Sequence, residues 1–226
     1  MSNLIIAVDG PSGAGKSTVS KMLAERLNLP YIDTGAMYRA VALKARQESV
    51  DLSDSKSLGS IAAAAQISFR SINGENHTFL DAVDVSSEIR SPEVTNLTSI
   101  VSAVSEVREA LLSLQRKMAR ENGAIMDGRD IGTVVFPHAD FKFYIDADLA
   151  VRGKRRHLEL KDSRGAVGDL KSTVDQLNSR DKADSERSEA PLKKADDAIY
   201  IDTTELSAID VAARIESIIL NDEETK

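Results

Sequence analysis

Gly10-Pro11-Ser12-Gly13-Ala14-Gly15-Lys16-Ser17 matches the phosphate-binding pattern G-x-x-x-x-G-K-[ST]. Its flanks decide whether the match means anything. Before it, Leu4-Ile5-Ile6-Ala7-Val8 is a short apolar run that reads as a buried parallel strand. After it, residues 17–27 carry Val19, Met22, Leu23 and Leu27 along one helical stripe. Strand, glycine-rich loop and helix are therefore all expected, in the order a phosphate site needs. The glycines let successive N–H groups turn inward, and the helix aims its positive end at the same anion. Gly10, Pro11, Ser12, Gly13, Ala14, Gly15, Lys16, Ser17 and Thr18 are the candidate ATP-binding residues. Lys16 is expected to reach the β- and γ-phosphates, and the Ser17 hydroxyl to ligate Mg²⁺ directly.

Composition narrows the class. The chain has 226 residues, 42% of them hydrophobic and 29% charged, enough for one sizeable core with insertions. It has no cysteine, which excludes thiol chemistry and suits a cytoplasmic protein. Neither a signal peptide nor a membrane span is expected. A net charge of −7 argues against a general binder of polymeric nucleic acid. The three histidines stand far apart, without metal-ligand spacing.

Strands and helices alternate along most of the chain, which implies a parallel sheet with helices on both faces. Tyr31-Ile32 is expected as a second strand, followed by a helix with Met37, Ala40, Val41 and Ala45 inward. Residues 58–65 read as a short helix. Ile67-Ser68-Phe69, Thr78-Phe79-Leu80 and Val83-Asp84-Val85 read as short antiparallel strands, with a hairpin turn at Asn73-Gly74. A helix over 105–122 is expected to bury Val107, Ala110, Leu111, Leu114 and Met118 and to stop at Gly123. Ala124-Ile125-Met126, Phe141-Lys142-Phe143-Tyr144-Ile145 and Ala198-Ile199-Tyr200-Ile201 complete a five-stranded core. Ser207 and Asp210 form a capping signature for the last helix.

Ligands of open parallel sheets bind beyond the carboxyl ends of the strands. That rule selects Asp33, Thr34, Tyr38 and Arg39 after the second strand, and Asp127, Arg129 and Asp130 after the third. Asp33 is equally well explained as a helix cap. Asp127 closes an apolar strand, the usual place for a carboxylate that holds a metal's water shell. Arg152, Lys154, Arg155, Arg156 and Lys161 crowd one helical segment, followed by Arg164-Gly165. Such a run alone is a solvated helix face. Placed after the fourth strand, it also fits a mobile lid that brings arginines onto phosphoryl groups. Arg180, Asp184 and Arg187 share a face if helical, either as an ion pair or facing an anionic ligand.

These stretches together resemble the bacterial cytidylate kinases. The resemblance rests on the phosphate loop, on Asp33-Thr34-Gly35-Ala36-Met37-Tyr38-Arg39 and on Val107-Arg108-Glu109-Ala110-Leu111-Leu112. It rests further on residues 180–187 and, most specifically, on Asp127-Gly128-Arg129-Asp130-Ile131-Gly132-Thr133-Val134-Val135-Phe136-Pro137. It implies a nucleoside monophosphate kinase fold: a P-loop NTPase-like α/β unit, with a β-rich monophosphate-binding insertion at about 58–91 and a lid at about 151–189. The core would then be about 1–57, 92–150 and 190–221. It implies transfer of phosphate from ATP, with Mg²⁺, to CMP or dCMP. By the same resemblance, Arg39, Arg129 and Arg187 would hold the CMP phosphate, and Arg180 and Asp184 the sugar. Asp130 and Ser99 would accept from the cytosine amine, Arg108 would donate to the ring acceptors, and Thr34 and Tyr38 would line the pocket. The family often has serine where this chain has Thr34. Lys16, Arg129, Arg155 and Arg156 would serve catalysis, and Asp127 would hold Mg²⁺ through water. A monomer is expected, since no large unexplained apolar surface is evident. Kinases of AMP or shikimate share the loop but not the pairing of Asp130 with Arg108. A guanine-type N-K-x-D motif is absent, and Asp162-Ser163-Arg164-Gly165, although it fits D-x-x-G, follows a charged helix.

Overall fold

A computed structural model describes residues 3–164 and 168–223, without the side chains of residues 163, 164 and 223. Gly165 of the expected lid and the end of the polar tail therefore lie outside the described residues. The chain divides into two compact units, residues 1–30 with 122–226 and residues 31–121.

The strands β1 (Ile5–Asp9), β2 (Tyr31–Asp33), β6 (Ala124–Gly128), β7 (Phe141–Asp146) and β8 (Ile199–Asp202) form the sheet, in the order β2-β6-β1-β7-β8. Strand β1 runs parallel to both β6 and β7, with Val8 opposite Asp127 and Asp9 opposite both Gly128 and Tyr144. Ile6, Ala7, Val8, Ile125 and Met126 are fully buried, as continuous apolar strands of a parallel sheet must be. The helix α1 (Lys16–Leu27) places Val19, Leu23 and Leu27 in the core and packs on α8 (Ala208–Glu223). At the start of α8 the Ser207 hydroxyl accepts the Asp210 N–H at 3.2 Å, as a cap does, and donates to the Asp210 carboxylate at 2.6 Å. The helices α6 (Leu149–Arg164) and α7 (Leu170–Glu186) pack against each other.

The second unit opens with β2. Asp33 then caps α2 (Thr34–Gln47), its carboxylate accepting the Ala36 N–H at 2.8 Å. Met37, Ala40, Val41 and Ala45 are buried as expected. After α3 (Ser55–Ala64) comes an antiparallel sheet of β3 (Ile67–Ile72), β4 (Glu75–Leu80) and β5 (Val83–Asp84). Its first turn is Asn73-Gly74, with φ of 53° and 80°; its second is Asp81-Ala82, with φ of 48° and 68°. Both are two-residue turns with positive φ at each position, which suits the twist of a tight hairpin. The helices α4 (Pro92–Val101) and α5 (Ser105–Arg120) complete the unit. The buried stripe of α5 is not the expected one. Val107 and Leu111 are inside, but Arg108, Gln115 and Ala119 fill the other places, and Ala110, Leu114 and Met118 are only half-buried. A long polar side chain can be buried where it finds a partner, and apolar periodicity alone misses this. Among the described residues, no helix is long and apolar enough to cross a membrane.

Gly10 has φ of 143°, and a Cβ there would fall on the Ile145 carbonyl oxygen. Gly10→Ala is expected to cost about 3 kcal/mol, from the positive φ and the backbone clash together. Urea denaturation checks this: the midpoint should fall with little change in slope.

Candidate active site

The phosphate loop joins β1 to α1. Gly15, at φ 92°, precedes the helix, and no side chain caps the helix N-terminus. The first N–H groups of α1 thus remain available to an anion. Lys16 is buried, and its ammonium donates to the Pro11 carbonyl at 2.7 Å. Burial, and next the nearby Arg129 guanidinium, push its pKa down to about 7, against the opposing pull of Asp127, Asp9 and Asp181. The Ser17 hydroxyl is within hydrogen-bond distance of Asp127, donating to Oδ2 at 2.5 Å. Pro11, Ala14 and Gly10 are buried, while Thr18 is exposed on the first turn of α1.

The loop after β6 is held by a residue that pattern reading did not single out. Asp9, at the end of β1, accepts from Ile131 N–H at 2.9 Å and from Gly132 N–H at 2.7 Å. Those residues start a single π-helical turn, Ile131–Val135. Burial pushes the Asp9 carboxyl up to about 6, even though both N–H bonds favour the charged form. Asp130, just before the turn, is buried, and Arg129 is half-buried. The Arg129 guanidinium donates to Ser12 Oγ at 2.7 Å, to Asp184 at 3.0 Å and to the Gly128 carbonyl at 3.1 Å. Arg187 lies 3.7 Å from both Asp130 and Asp184. Asp184 and Arg180 are on α7, but Arg187 follows its last residue in extended backbone, so the three do not share one helical face. The loop, Arg129, Asp130, Asp184 and Arg187 form one connected cluster within the first unit.

Arg152, Arg155 and Arg156 of α6 are all anchored. Arg152 is buried; it donates to the Ala147 carbonyl at 2.9 Å and the Ser12 carbonyl at 3.0 Å, and it pairs with Asp181. Arg155 donates to the Thr203 carbonyl at 2.6 Å and to its hydroxyl at 3.0 Å. That hydroxyl in turn reaches the Ala14 carbonyl of the phosphate loop at 3.1 Å. Arg156 pairs with Glu159 at 2.9 Å, and Lys154 and Lys161 are exposed. Asp9, Asp181 and Thr203 are thus additions to the sequence-derived set. A signal existed for two of them, since Asp9 and Thr203 both sit at carboxyl ends of core strands, where the strand-end rule applies.

In the second unit, Thr34 is buried at the start of α2, with Tyr38 and Arg39 half-buried one turn on. Arg108 of α5 is buried, with its guanidinium 5.5 Å from the Tyr38 ring centroid and donating to the Ser102 carbonyl at 3.2 Å. Such a cation over an aromatic face is stabilised by the ring quadrupole. Ser99 is exposed on α4. Asp33 serves as the cap of α2, with Arg90 3.9 Å away.

A sequence model of the cytidylate kinase family matches residues 6–221. Cytidylate kinase of Geobacter sulfurreducens is 50% identical over 216 residues, covering 96% of this chain and 92% of the relative. Cytidylate kinase of Exiguobacterium sibiricum is 48% identical over 215 residues, covering 95% and 96%. An uncharacterised protein from Eubacterium ventriosum superposes with a TM-score of 0.53 at 16% identity over 96% of this chain and 98% of that one, a likeness of fold alone. With the phosphate loop, the Arg129-Asp130 cluster and a five-stranded sheet all in place, the chain belongs to the cytidylate kinase family.

Proposed function

We propose that this chain transfers the γ-phosphoryl group of ATP to CMP or dCMP, giving CDP or dCDP by direct in-line displacement. The observation that carries the reading is the cluster in the first unit. There the phosphate loop, through Ser12, is hydrogen-bonded to Arg129, which is bonded in turn to Asp184 beside Arg187 and Asp130. A donor-phosphate cradle is thereby linked to a second group of anion-binding arginines, as a transfer between two phosphates requires.

The acceptor is already a phosphate oxygen anion, so no strong protein base is needed. Catalysis then consists of positioning and charge stabilisation. In this reading Gly10 to Thr18 cradle ATP, and Lys16 bears on its β- and γ-phosphates. A bound polyanion would favour the charged form of that buried ammonium, whose pKa burial holds near 7. Arg39, Arg129 and Arg187 hold the acceptor phosphate, since guanidinium forks match its oxygens two at a time. Asp130 and Ser99 accept from the cytosine amine, Arg108 donates to the ring acceptors, and uracil, with a carbonyl in place of the amine, is repelled by Asp130. Thr34 and Tyr38 line the base and phosphate pocket, and Arg180 and Asp184 take the sugar hydroxyls. Arg155 and Arg156 add positive charge from the lid segment, about 151–189, while the insertion at about 58–91 belongs to monophosphate binding.

The Ser17 hydroxyl and the buried Asp127 carboxylate fit Mg²⁺. They are hard oxygen donors side by side, with Asp127 4% exposed, and Ser17 would bind directly and Asp127 through water. When bound, the ion neutralises phosphate charge. A cytoplasmic monomer that acts on small nucleotides, and not on polymeric nucleic acid, belongs to the same reading.

Coupled ADP formation with ATP, Mg²⁺ and each of CMP, dCMP, UMP, AMP and shikimate tests it. Turnover should be strong with CMP and dCMP and weak with the others; preference for AMP or shikimate would refute the cytosine pocket. Lys16→Ala should lower kcat by about 100-fold or more, as loss of a charge-stabilising donor does. Asp130→Ala should raise the KM for CMP by about 10- to 100-fold, the worth of a charged hydrogen bond, and narrow the gap between CMP and UMP.

A further inference from the structure

The Pro11–Ser12 peptide is gripped on both sides. Its carbonyl oxygen accepts from Lys16 Nζ at 2.7 Å, and its N–H donates to Asp181 Oδ1 at 3.0 Å. A peptide unit is planar and trans, so its C=O and N–H point opposite ways and turn together. Whatever holds the N–H therefore sets the direction of the carbonyl on which the Lys16 ammonium rests. Asp181 is itself held: its other oxygen pairs with Arg152, which donates to the Ser12 carbonyl at 3.0 Å. The Ser12 hydroxyl accepts from Arg129 at 2.7 Å. All three polar groups of Ser12 are thus bonded to side chains of this network.

Asp181 and Asp184 are three residues apart on α7, and so lie on one side of that helix. Asp184 reaches Arg129 at 3.0 Å and Arg187 at 3.7 Å, both of which the proposed function gives to the acceptor phosphate. One helix therefore carries acceptor-binding residues and a carboxylate bonded to the donor loop. Three acids (Asp130, Asp181, Asp184) face three arginines (Arg129, Arg152, Arg187). Asp181 is the acid of the three to which the proposed function gives no ligand.

We propose that Asp181, locked by Arg152, is a positioning residue that couples the two substrate sites by tying the orientation of the Pro11–Ser12 peptide, and with it Lys16, to α7. The inference rests on the kinase reading above. Acceptor binding that shifts α7 turns this peptide, and phosphate binding on the loop restrains α7. Such coupling is reciprocal: each ligand must tighten the other by the same factor.

Calorimetry on the full chain tests it. The dissociation constant of CMP is measured with and without a non-hydrolysable imido analogue of ATP, and that of the analogue with and without CMP. The wild-type chain should show one common factor in both directions, about 5-fold or more, the usual size of such coupling. Asp181→Ala should bring that factor close to one. Asp181→Asn, which keeps an acceptor for the Ser12 N–H but loses the charge paired with Arg152, should fall between. A merely structural role would lower the thermal midpoint and leave the factor unchanged. An unchanged factor in folded Asp181→Ala overturns the proposal, as does a wild-type factor of one. If Asp181→Ala fails to fold, Asp181→Asn decides by the same criterion. Wild-type turnover of CMP separates the two readings. Turnover without a change of coupling in the variants sinks the Asp181 proposal alone, whereas no turnover of CMP sinks the kinase reading beneath it.

Discussion

Two hydrogen bonds from consecutive backbone N–H groups to one buried carboxylate hold the catalytic end of the sheet together. Asp9 ends β1, and its oxygens take the N–H groups of Ile131 and Gly132 at 2.9 and 2.7 Å. Strands β1 and β6 are neighbours in register, Asp9 beside Gly128, so the chain leaving each must find its own path at the same edge. From β1 it becomes the phosphate loop; from β6 it becomes Arg129 and Asp130. The Arg129 bond to Ser12 Oγ is a second link between the two loops. The carboxylate is costly to bury, and its pKa of about 6 records that desolvation outweighs both bonds. A carboxylate kept against such a cost is better explained by what it positions than by stability.

The second constraint is charge. In a chain of net charge −7, the arginines of this cluster lie among acids that hold them. Arg129 donates from Nη2 to Ser12 and from Nε to Asp184; Arg152 donates from Nη1 to both the Ser12 carbonyl and Asp181. A planar guanidinium with five donors can serve two partners at once, which a lysine ammonium does with less directional control. In a partly buried setting these bonds are stronger than on the surface, and they fix the direction of each guanidinium.

The second unit follows other rules. Three of its helices, α2, α3 and α4, start at side-chain caps, Asp33, Asp54 and Ser91, and its small sheet turns at two positive-φ pairs. Both are local devices, satisfied within a few residues. Arg108 is the exception. It is buried on α5, and its guanidinium lies over Tyr38, which is on another helix, α2.

Much of this was legible in the chain itself. The phosphate loop and its flanking strand and helix, the five core strands, the Asn73-Gly74 hairpin and the Ser207–Asp210 cap depend on residues within one or two turns of each other. Local sterics and hydrogen bonding therefore determine them. The residues Asp127, Arg129 and Asp130 followed from the rule that ligands gather at strand ends. What local pattern could not supply were contacts across long separations. Asp9 with Gly132, Ser12 with Asp181 and Thr203 with Ala14 are 123, 169 and 189 residues apart. The same limit explains α5, where the expected apolar stripe was displaced because Arg108 found partners that its own helix does not display. The fold class and the family can be read along the chain, because both rest on short motifs and local periodicity. Which carboxylate meets which backbone N–H is set in three dimensions, because it depends on how separate strands and helices come together and not on any periodicity along one of them.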